Sequence, residues 1–393
     1  MTVVKWVFRG IAALIIGTGM AACSQLGLDY ASLETEGKPP AWPTLQPSWI
    51  EGTDAGQEAM KTALETHVFG PVPVGVKTRL VSERIVDAAY ANGAGTLVEY
   101  LLAVGEFEGE RRFNLAVAYP NGADGPVPVL INQTFCTNRL TFDTNALTAS
   151  LSPIMFCGDD VEEGAAFSVV AEGVFGRHIA TPPNERILRR GYALASFYAS
   201  ELIADDGSIG RSHLNRFPSG ERGRPTGAVA GWAAGYFAAL DLLEADPRID
   251  PDKTAIIGHS RHAKSALVAG AFDPRIEAVI AHQAGTGGSA LSRFKLGESV
   301  AAITADYPHW FDPTYAAFDE RGPFTTPADM HMLIALNAPR KLLLGNGRRD
   351  VWSDPNGSYR AALTAHPAWT ARGAKGLTQS GMRDLKLDAD LVF

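Results

Sequence analysis

A serine lies between a strand-like run and a helix-like run, an arrangement typical of a hydrolytic nucleophile. Residues 254–258 read TAIIG and residues 261–271 read RHAKSALVAGA, with Ser260 in the turn that joins them. Such a turn exposes the serine hydroxyl above a sheet, and the backbone N–H groups that follow it can stabilise an oxyanion. The motif Gly-x-Ser-x-Gly is incomplete, because His262 replaces its second glycine and Ala263 is the nearest small residue. The ordinary alternative is a serine that caps a structural helix.

The elements that must position this serine alternate between strands and helices. Short apolar runs at 127–131, 277–281 and 341–344 predict further buried strands, and the Ala/Leu-rich run at 226–245 predicts a helix. This alternation favours a parallel sheet with helices on both faces. Residues 137–190 show no clear periodicity and predict a long insertion or loop.

The composition excludes several classes of protein. The chain has 393 residues, of which 46% are hydrophobic and 20% are charged. These values fit a globular protein and exclude a disordered or collagen-like chain. The formal net charge is −8 and there is no long basic run, which argues against nucleic-acid binding. The length fits either two to three domains of ordinary size or one large α/β domain.

The N-terminal segment is typical of a targeting sequence. Residues 1–22 contain two basic residues, a short apolar run and then small residues, as in a secretory signal peptide. Residues 20–23 read MAAC and resemble the lipobox of bacterial lipoproteins, in which Cys23 becomes the acylated N-terminus; plain secretion is the alternative. Ser24, in place of aspartate, indicates the outer membrane in such lipoproteins. Residues 23–50 are Pro-rich and predict an extended tether. We therefore expect an exported protein, either an outer-membrane lipoprotein or a periplasmic one, that meets the membrane through a lipid anchor only.

Two cysteines, Cys136 and Cys157, remain in the predicted mature chain. An oxidising compartment would allow them to form one disulfide. The sequence does not show whether their Cβ atoms meet, so the pairing stays open at this point.

Several ordered blocks of the sequence resemble one enzyme family. Residues 258–264 read GHSRHAK and are similar to the G-x-S-R-x-G-K signature of the glucuronoyl esterases, which form carbohydrate esterase family fifteen. The resemblance to the bacterial branch covers most of the chain from about residue 95 onward. It includes AHQAGTGGSALSRFKLGESV (281–300), ADYPHWF (305–311), DMHMLIALNAPR (329–340) and DVWSDPNGSY (350–359).

This resemblance implies both a fold and a reaction. The fold is an α/β-hydrolase, a three-layer sandwich with a mostly parallel sheet, over residues 51–393. The reaction is hydrolysis of esters of 4-O-methyl-glucuronic acid on glucuronoxylan and in lignin–carbohydrate linkages, without a cofactor or metal. We expect a monomer. Two alternatives stay open: another polysaccharide esterase, such as an acetyl xylan esterase, and an inactive glucuronoxylan-binding protein.

The resemblance also implies roles for individual residues. Ser260 is the nucleophile, and the guanidinium of Arg261 helps to form the oxyanion hole. Lys264 lies one helical turn after the serine and contacts sugar hydroxyls. Glu298 matches a glutamate that binds the glucuronate ring, and Trp352 matches a tryptophan that lines the sugar site. The ordinary alternatives are a surface salt bridge for the arginine and scaffold positions for the glutamate and the tryptophan.

The catalytic acid requires a choice between two positions. Some members of the family carry glutamate after the sixth strand, but Gln283 occupies that place here. An amide cannot stabilise an imidazolium as a carboxylate does. Other bacterial members carry aspartate after the seventh strand, and Asp350 matches that position. We therefore predict that Asp350 is the acid.

The general base is not found by the same comparison. In the family a histidine follows the last strand, in a segment similar to H-x-R-x-G-x-H, whereas this chain ends in LKLDADLVF. Because this ending looks like the last strand, we expect that strand at the chain end, no final helix, and a C-terminally truncated member that lacks the base. His366 is the only histidine after Asp350, and we consider it a poor substitute because Pro367 is expected to end its helix.

Overall fold

The computed structural model describes residues 43–105, 110–152, 157–175, 178–217, 225–293, 297–318, 327–347 and 350–393. The predicted signal peptide, Cys23 and most of the predicted tether lie outside these ranges. In the ranges that are described, no helix has the length and apolar character needed to cross a membrane.

One nine-stranded sheet organises the fold. Its strands are β1 (Thr78–Ala89), β2 (Gly95–Val104), β3 (Arg111–Pro120), β4 (Val127–Thr134), β5 (Ala193–Tyr198), β6 (Ile249–His259), β7 (Ala278–His282), β8 (Lys341–Gly345) and β9 (Leu391–Val392). They lie side by side in the order β1-β2-β3-β5-β4-β6-β7-β8-β9. The pairings β1–β2, β2–β3 and β3–β5 are antiparallel, and the pairings from β5–β4 to β8–β9 are parallel. The sheet is therefore mostly parallel, as predicted.

Within the described residues, two helices precede β1, and helices occupy every connection between consecutive strands from β4 onward. They are α1 (Pro47–Glu51), α2 (Asp54–Leu64), α3 (Asn138–Thr141), α4 (Val161–Phe175), α5 (Asn184–Arg189), α6 (Ile209–Leu214), α7 (Ala228–Glu244), α8 (Arg261–Phe272), α9 (Val300–Asp306), α10 (Met330–Ala335) and α11 (Pro355–Ala371). Shorter helical turns lie at Glu65–Phe69, Ala199–Glu201 and Pro313–Ala316.

The elements predicted around the serine are confirmed. The strands expected at 127–131, 254–258, 277–281 and 341–344 are β4, β6, β7 and β8, and the helix expected at 226–245 is α7. Helix α7 is apolar on nearly all sides because it is buried on nearly all sides.

The central strands of the sheet are buried on both faces. Val117 belongs to the main hydrophobic core, whereas its neighbours Ala116 and Ala118 belong to a second core. In β5, Ala195 and Leu194 divide between the two cores in the same way. Because successive strand residues point to opposite faces, apolar residues in consecutive positions require cover on both sides, which the connecting segments provide.

The boundary predicted at residue 50 is too late. Leu45 is buried in the main core, and Trp49 and Ile50 pack against that core. Arg372 donates hydrogen bonds to the carbonyl oxygens of Trp49 and Ile50, at 2.8 and 3.3 Å. The last residues of the predicted tether therefore belong to the folded domain, because they bury apolar side chains that an extended linker would expose.

The segment 137–190 is more ordered than its sequence pattern indicates. It contains α3, α4 and α5. A disulfide joins Cys136, just after β4, to Cys157, with their Cα atoms 5.5 Å apart. A small third core of these cysteines, Leu140 and Ala180 surrounds it. The disulfide that the sequence left open is therefore formed. The sequence pattern did not reveal the helices, because they are short or apolar on several faces.

Removing this disulfide should destabilise the protein. The bond closes a loop between residues 21 apart in sequence, for which restriction of the unfolded chain contributes about 3 kcal/mol. We expect Cys136→Ser/Cys157→Ser to lower the free energy of unfolding by about that amount in urea titrations. Dithiothreitol should shift the wild-type midpoint and leave the double variant unchanged. Equal sensitivity of both proteins to the reductant would contradict this assignment.

Buried histidines should make the fold sensitive to acid. Burial lowers the pKa of His262 to about 3 and that of His331 to about 4. An unfolded histidine titrates near 6.5, so below that pH the unfolded state binds protons that the native state does not, and stability falls as the pH falls. Each such histidine contributes at most about 1.4 kcal/mol per pH unit.

Urea unfolding between pH 7.5 and 4.5 tests this expectation. His331→Gln should make the dependence of unfolding free energy on pH shallower. His178→Asn, at an exposed histidine, serves as the control and should leave the dependence unchanged. A His331→Gln variant with the wild-type dependence would show that this imidazole is not kept neutral by the fold.

Candidate active site

Ser260 lies in a strained turn at the carboxyl end of the sheet. It joins β6 to α8 with φ 55° and ψ −121°, a backbone conformation that a non-glycine residue adopts only when the surrounding structure enforces it. Its amide N–H donates to the carbonyl oxygen of His282 in β7, at 2.8 Å. Within the described residues, its hydroxyl has no hydrogen-bond partner. The turn therefore presents the Ser260 hydroxyl in the way that a nucleophile requires.

The tight turn depends on Gly258 and not on a second glycine. A Cβ at Gly258 would overlap the backbone of His262 and Ala263, so only glycine permits this approach of strand and helix. The His262 side chain is itself buried, with its ring 5.2 Å from that of Trp232. The departure from Gly-x-Ser-x-Gly is thus accommodated, because the histidine packs inward while its backbone makes the close contact.

Arg261 follows the serine and is held from two sides. Its Nη1 donates to the carboxylate of Asp205. Its guanidinium carbon lies 4.7 Å from the ring centre of Trp310 and 5.4 Å from that of Tyr307. The alternative of a salt bridge is present in this contact, but the pair is largely buried and not at the surface: the side chain of Arg261 is 17% exposed and that of Asp205 is 9% exposed. A partly buried cation next to the nucleophile suits a developing oxyanion.

Asp350 lies in the loop after β8, beside the residue that occupies the alternative acid position. The Nε2 of Gln283 donates to Oδ2 of Asp350 at 2.7 Å, and Ser353 Oγ donates to the same oxygen at 2.6 Å. Gln283 itself has φ 55°, and its amide N–H donates to the Gly345 carbonyl oxygen at 2.7 Å. Gln283, at the alternative acid position, therefore supports the carboxylate that follows the neighbouring strand.

Register brings these residues to one edge. His259 of β6 pairs with His282 of β7, and His282 pairs with Gly345 of β8. Ser260 follows His259 directly, and Gln283 follows His282 directly. Asp350 comes a few residues after Gly345. Ser260 and Asp350 therefore lie two strands apart at the same end of the sheet. Neighbouring strands are about 4.8 Å apart.

The three predicted sugar-binding residues lie around the segment that follows β7. Lys264 Nζ donates to the Ala284 carbonyl oxygen at 2.5 Å. Thr286 Oγ1 donates to the Glu298 carbonyl oxygen at 2.5 Å. The backbone N–H of Glu298 donates to the Trp352 carbonyl oxygen at 3.0 Å. Lys264 and Glu298 are buried, whereas Trp352 is 61% exposed. A large exposed indole beside buried charged residues suits a sugar ring.

All nine histidines of the chain lie within the described residues, and none of them hydrogen-bonds the Ser260 hydroxyl. Nδ1 of His259 and Nδ1 of His282 are 2.8 Å apart and share a hydrogen bond. Burial lowers the pKa of His259 to about 3, so this imidazole is neutral at neutral pH. His366 packs against Gly376. Its helix, α11, continues through Pro367 to Ala371, so the predicted end at that proline is wrong.

Two features of this site were missed from the sequence. Asp205 was not singled out, although it follows the buried strand β5 in a segment that reads ADDG. A polar pair after an apolar run was the available signal, since the carboxyl ends of parallel strands carry functional residues. Gln283 was interpreted only as a lost acid, because its hydrogen bond to Asp350 joins residues 67 positions apart.

Comparison of the sequence with known proteins identifies relatives of one kind. The family profile described as glucuronyl esterase of fungi matches residues 172–373. A carbohydrate esterase, MZ0003, from an unknown prokaryotic organism is 30% identical over 329 residues, which span 82% of this chain and 75% of that protein. The 4-O-methyl-glucuronoyl methylesterase of Hypocrea jecorina is 32% identical over 204 residues, which span 49% of this chain and 44% of that enzyme.

Solved structures agree with these relatives. A promiscuous CE15 esterase from a marine bacterial metagenome superposes with a TM-score of 0.73 and 27% identity, over 90% of both chains. A glucuronoyl esterase from Solibacter usitatus superposes with a TM-score of 0.70 and 28% identity, over 89% of this chain and 87% of that one. The catalytic domain of the Hypocrea jecorina glucuronoyl esterase, at 22% identity and a TM-score of 0.55, supports the α/β-hydrolase fold alone.

Proposed function

Because the chain belongs to the glucuronoyl esterase family of carboxylic ester hydrolases, we propose that it hydrolyses esters of 4-O-methyl-glucuronic acid with Ser260 as the nucleophile. The observation that carries the proposal is the strained turn that presents Ser260 directly before Arg261. Strain at such a position is maintained when it serves a function. The names of the relatives supply the substrate class.

The residues at the edge of the sheet divide the reaction between them. Ser260 Oγ attacks the ester carbonyl carbon, and Arg261 stabilises the oxyanion that forms. Collapse of this intermediate releases the alcohol and leaves a glucuronoyl ester on the serine. Water then attacks that ester and releases the glucuronate. The hydroxyl proton of Ser260 ends on the departing alcohol, and a general base is needed to carry it there. No histidine among the described residues contacts Ser260 Oγ, and Asp350 is placed to stabilise the positive charge of such a base.

The glucuronoyl group of the ester is expected to bind beside the segment that follows β7. In this ester the sugar is the acyl group, so Lys264, Glu298 and Trp352 are expected to bind it. The indole of Trp352 offers a flat apolar face for the pyranose ring. The leaving alcohol, on glucuronoxylan or in a lignin–carbohydrate linkage, would extend towards solvent.

A second function, binding of glucuronoxylan without turnover, is favoured by one observation. No histidine within the described residues hydrogen-bonds the Ser260 hydroxyl, and a neutral serine hydroxyl is a weak nucleophile without a base. This candidate keeps the roles of Lys264, Glu298 and Trp352 and assigns no reaction to Ser260.

Two measurements on the purified protein distinguish these functions. Release of methanol from methyl 4-O-methyl-glucuronate, without comparable release of acetate from acetylated xylan, is expected for the glucuronoyl esterase. The reverse preference would indicate an acetyl xylan esterase. Binding of glucuronoxylan oligosaccharides in calorimetry, with no methanol released, would indicate the binding protein. Absence of both binding and turnover would reject the substrate class.

We also propose that the protein is exported and acylated at Cys23. The lipobox-like segment and the disulfide between Cys136 and Cys157 support export, because disulfides persist in oxidising compartments. Labelling of cells with an alkyne fatty acid should mark the wild type in the membrane fraction. Cys23→Ala should remove both the label and the membrane association. An unlabelled wild-type protein in the soluble fraction would reject acylation.

We further propose that the catalytic domain acts as a monomer. Sedimentation velocity of the folded domain should give one species close to the mass of a single chain. A concentration-dependent heavier species would reject this proposal.

A further inference from the structure

A buried group of side chains surrounds Arg261, and the reaction described above assigns none of its other members a role. This group, the Asp205 cluster, consists of Asp205, Tyr307, His309 and Trp310 together with Arg261. We infer that Asp205 is a positioning residue that fixes the Arg261 guanidinium where the oxyanion forms. The inference rests on the proposed function, since it concerns the same ester carbonyl.

Both carboxylate oxygens of Asp205 are engaged. Oδ2 accepts from Nη1 of Arg261, and Oδ1 accepts from Nε1 of Trp310 at 2.8 Å and from Nε2 of His309 at 3.1 Å. The other ring nitrogen of His309, Nδ1, is buried and has no hydrogen-bond partner among the described residues. A proton there would be buried without an acceptor, which is costly. The proton therefore lies on Nε2 and is donated to Asp205.

Backbone contacts fix the cluster to the core. The amide of Ala228, the first residue of α7, donates to the His309 carbonyl oxygen at 2.9 Å, and the amide of Val229 donates to that of Trp310 at 3.2 Å. The two donors that hold Asp205 are therefore attached to α7, a largely buried helix. The position of the carboxylate is determined by the scaffold and not by the arginine that it binds.

Aromatic rings restrict the guanidinium on another side. The rings of Tyr307 and Trp310 stack with their centres 3.9 Å apart and a 9° angle between planes. Arg261 lies within cation–π range of both rings. A guanidinium that is already in place needs no reorganisation when charge develops on the substrate, which is the condition for strong oxyanion stabilisation.

The charge state of Asp205 is consistent with this role. Burial acts to raise its pKa, but hydrogen bonds from His309 and Trp310 and the charge of Arg261 outweigh burial and hold the pKa well below its usual range. The carboxylate is therefore ionised and balances the arginine. A guanidinium has five N–H donors, and the contact with Asp205 uses the donor on Nη1.

A double-mutant cycle tests whether Asp205 acts through Arg261. We expect Asp205→Asn to lower kcat about 10- to 100-fold, which does not exceed the loss of kcat that follows removal of a whole oxyanion donor. KM should stay within about threefold of the wild-type value. In an Arg261→Met background the same substitution should have no further effect, because residues that act as a unit are not additive. Asp206→Asn, the adjacent aspartate, is the matched control and should retain wild-type kcat.

A second readout does not depend on turnover. In NMR spectra of the ¹⁵N-arginine-labelled protein, the side-chain resonance that Arg261→Met removes belongs to Arg261. This resonance should move and broaden in Asp205→Asn, because the guanidinium loses its partner. Asp205→Glu keeps the charge and displaces it by one methylene, so it should lose less kcat than Asp205→Asn. If Asp205→Asn does not fold, Asp205→Glu replaces it in the cycle and in the spectra.

The outcomes separate this inference from the proposed function. If the wild type releases no alcohol from any glucuronate ester, the proposed function fails and the NMR result alone decides the inference. An Arg261 resonance unchanged by Asp205→Asn overturns it. An equal loss of kcat from Asp205→Asn with and without Arg261 also overturns it, because the aspartate would then act independently of the arginine.

Discussion

Replacing Ser260 with alanine is expected to abolish hydrolysis of methyl 4-O-methyl-glucuronate. Without the hydroxyl no acyl-enzyme forms, so methanol release should fall to the rate measured without protein. In a complete triad this loss is about five to six orders of magnitude in kcat. The residue adopts φ 55°, which alanine tolerates no worse than serine. The fold should therefore persist, and calorimetry should show that the variant still binds the glucuronate product.

A covalent label provides an independent measurement. A fluorophosphonate should add once to the wild type, at Ser260, and mass spectrometry should find no adduct on Ser260→Ala. Ser82→Ala, at an exposed serine in β1, is the control and should react like the wild type. Substantial turnover by Ser260→Ala would show that another group attacks the ester.

Replacing Asp350 with asparagine should have the second-largest effect. A carboxylate at this position stabilises the positive charge of a general base, and its loss from a complete triad lowers kcat about 10⁴-fold. That factor is the upper limit expected here, because no histidine among the described residues contacts Ser260 Oγ. Asparagine preserves the volume of the side chain, so the urea midpoint should change little. Asp252→Asn, an exposed aspartate in β6, should keep normal activity. Activity of Asp350→Asn within tenfold of the wild type would remove this residue from the catalytic machinery.

The contact between Gln283 and Asp350 offers a rescue experiment. The Nε2 and Oδ2 atoms of these side chains are 2.7 Å apart, so Gln283→Glu in the Asp350→Asn background exchanges amide and carboxylate across the same hydrogen bond. We expect this double variant to recover a large part of the lost kcat. Recovery would show that either strand end can supply the charge. A double variant as inactive as Asp350→Asn would show that only the loop after β8 places the carboxylate correctly.

Local pattern was sufficient to predict the elements that hold the nucleophile. The runs that became β4, β6, β7 and β8 are short, apolar and bounded by turn residues, and each contributes buried side chains to the sheet. Because hydrophobic periodicity is decided by neighbours in sequence, these elements and the turn at Ser260 follow from the chain itself. The resemblance of several blocks to one family extended this prediction to the family, and the relatives confirm that the chain belongs to it.

Local sequence pattern gave no correct prediction where burial or disulfide pairing depends on residues far apart in the chain. Residues 45–50 read as tether because prolines surround them, yet Leu45 is buried in the core. The disulfide between Cys136 and Cys157 depends on Cβ atoms that only the folded segment brings together. Both outcomes depend on contacts between residues far apart in sequence, which periodicity does not record.

The sequence by itself predicted the mostly parallel sheet and placed Ser260 in the turn after one of its strands, because both depend on residue type at a fixed place in the chain. Its resemblance to one family led to the proposal of Ser260 as nucleophile and of Asp350, in preference to Gln283, as acid. Tertiary structure decided how these groups are held. Asp205 contacts Arg261 across 56 positions, and Gln283 contacts Asp350 across 67. Such hydrogen bonds exist only once β5, β6, β7 and β8 are in register, since parallel pairing brings the ends of distant segments to one edge.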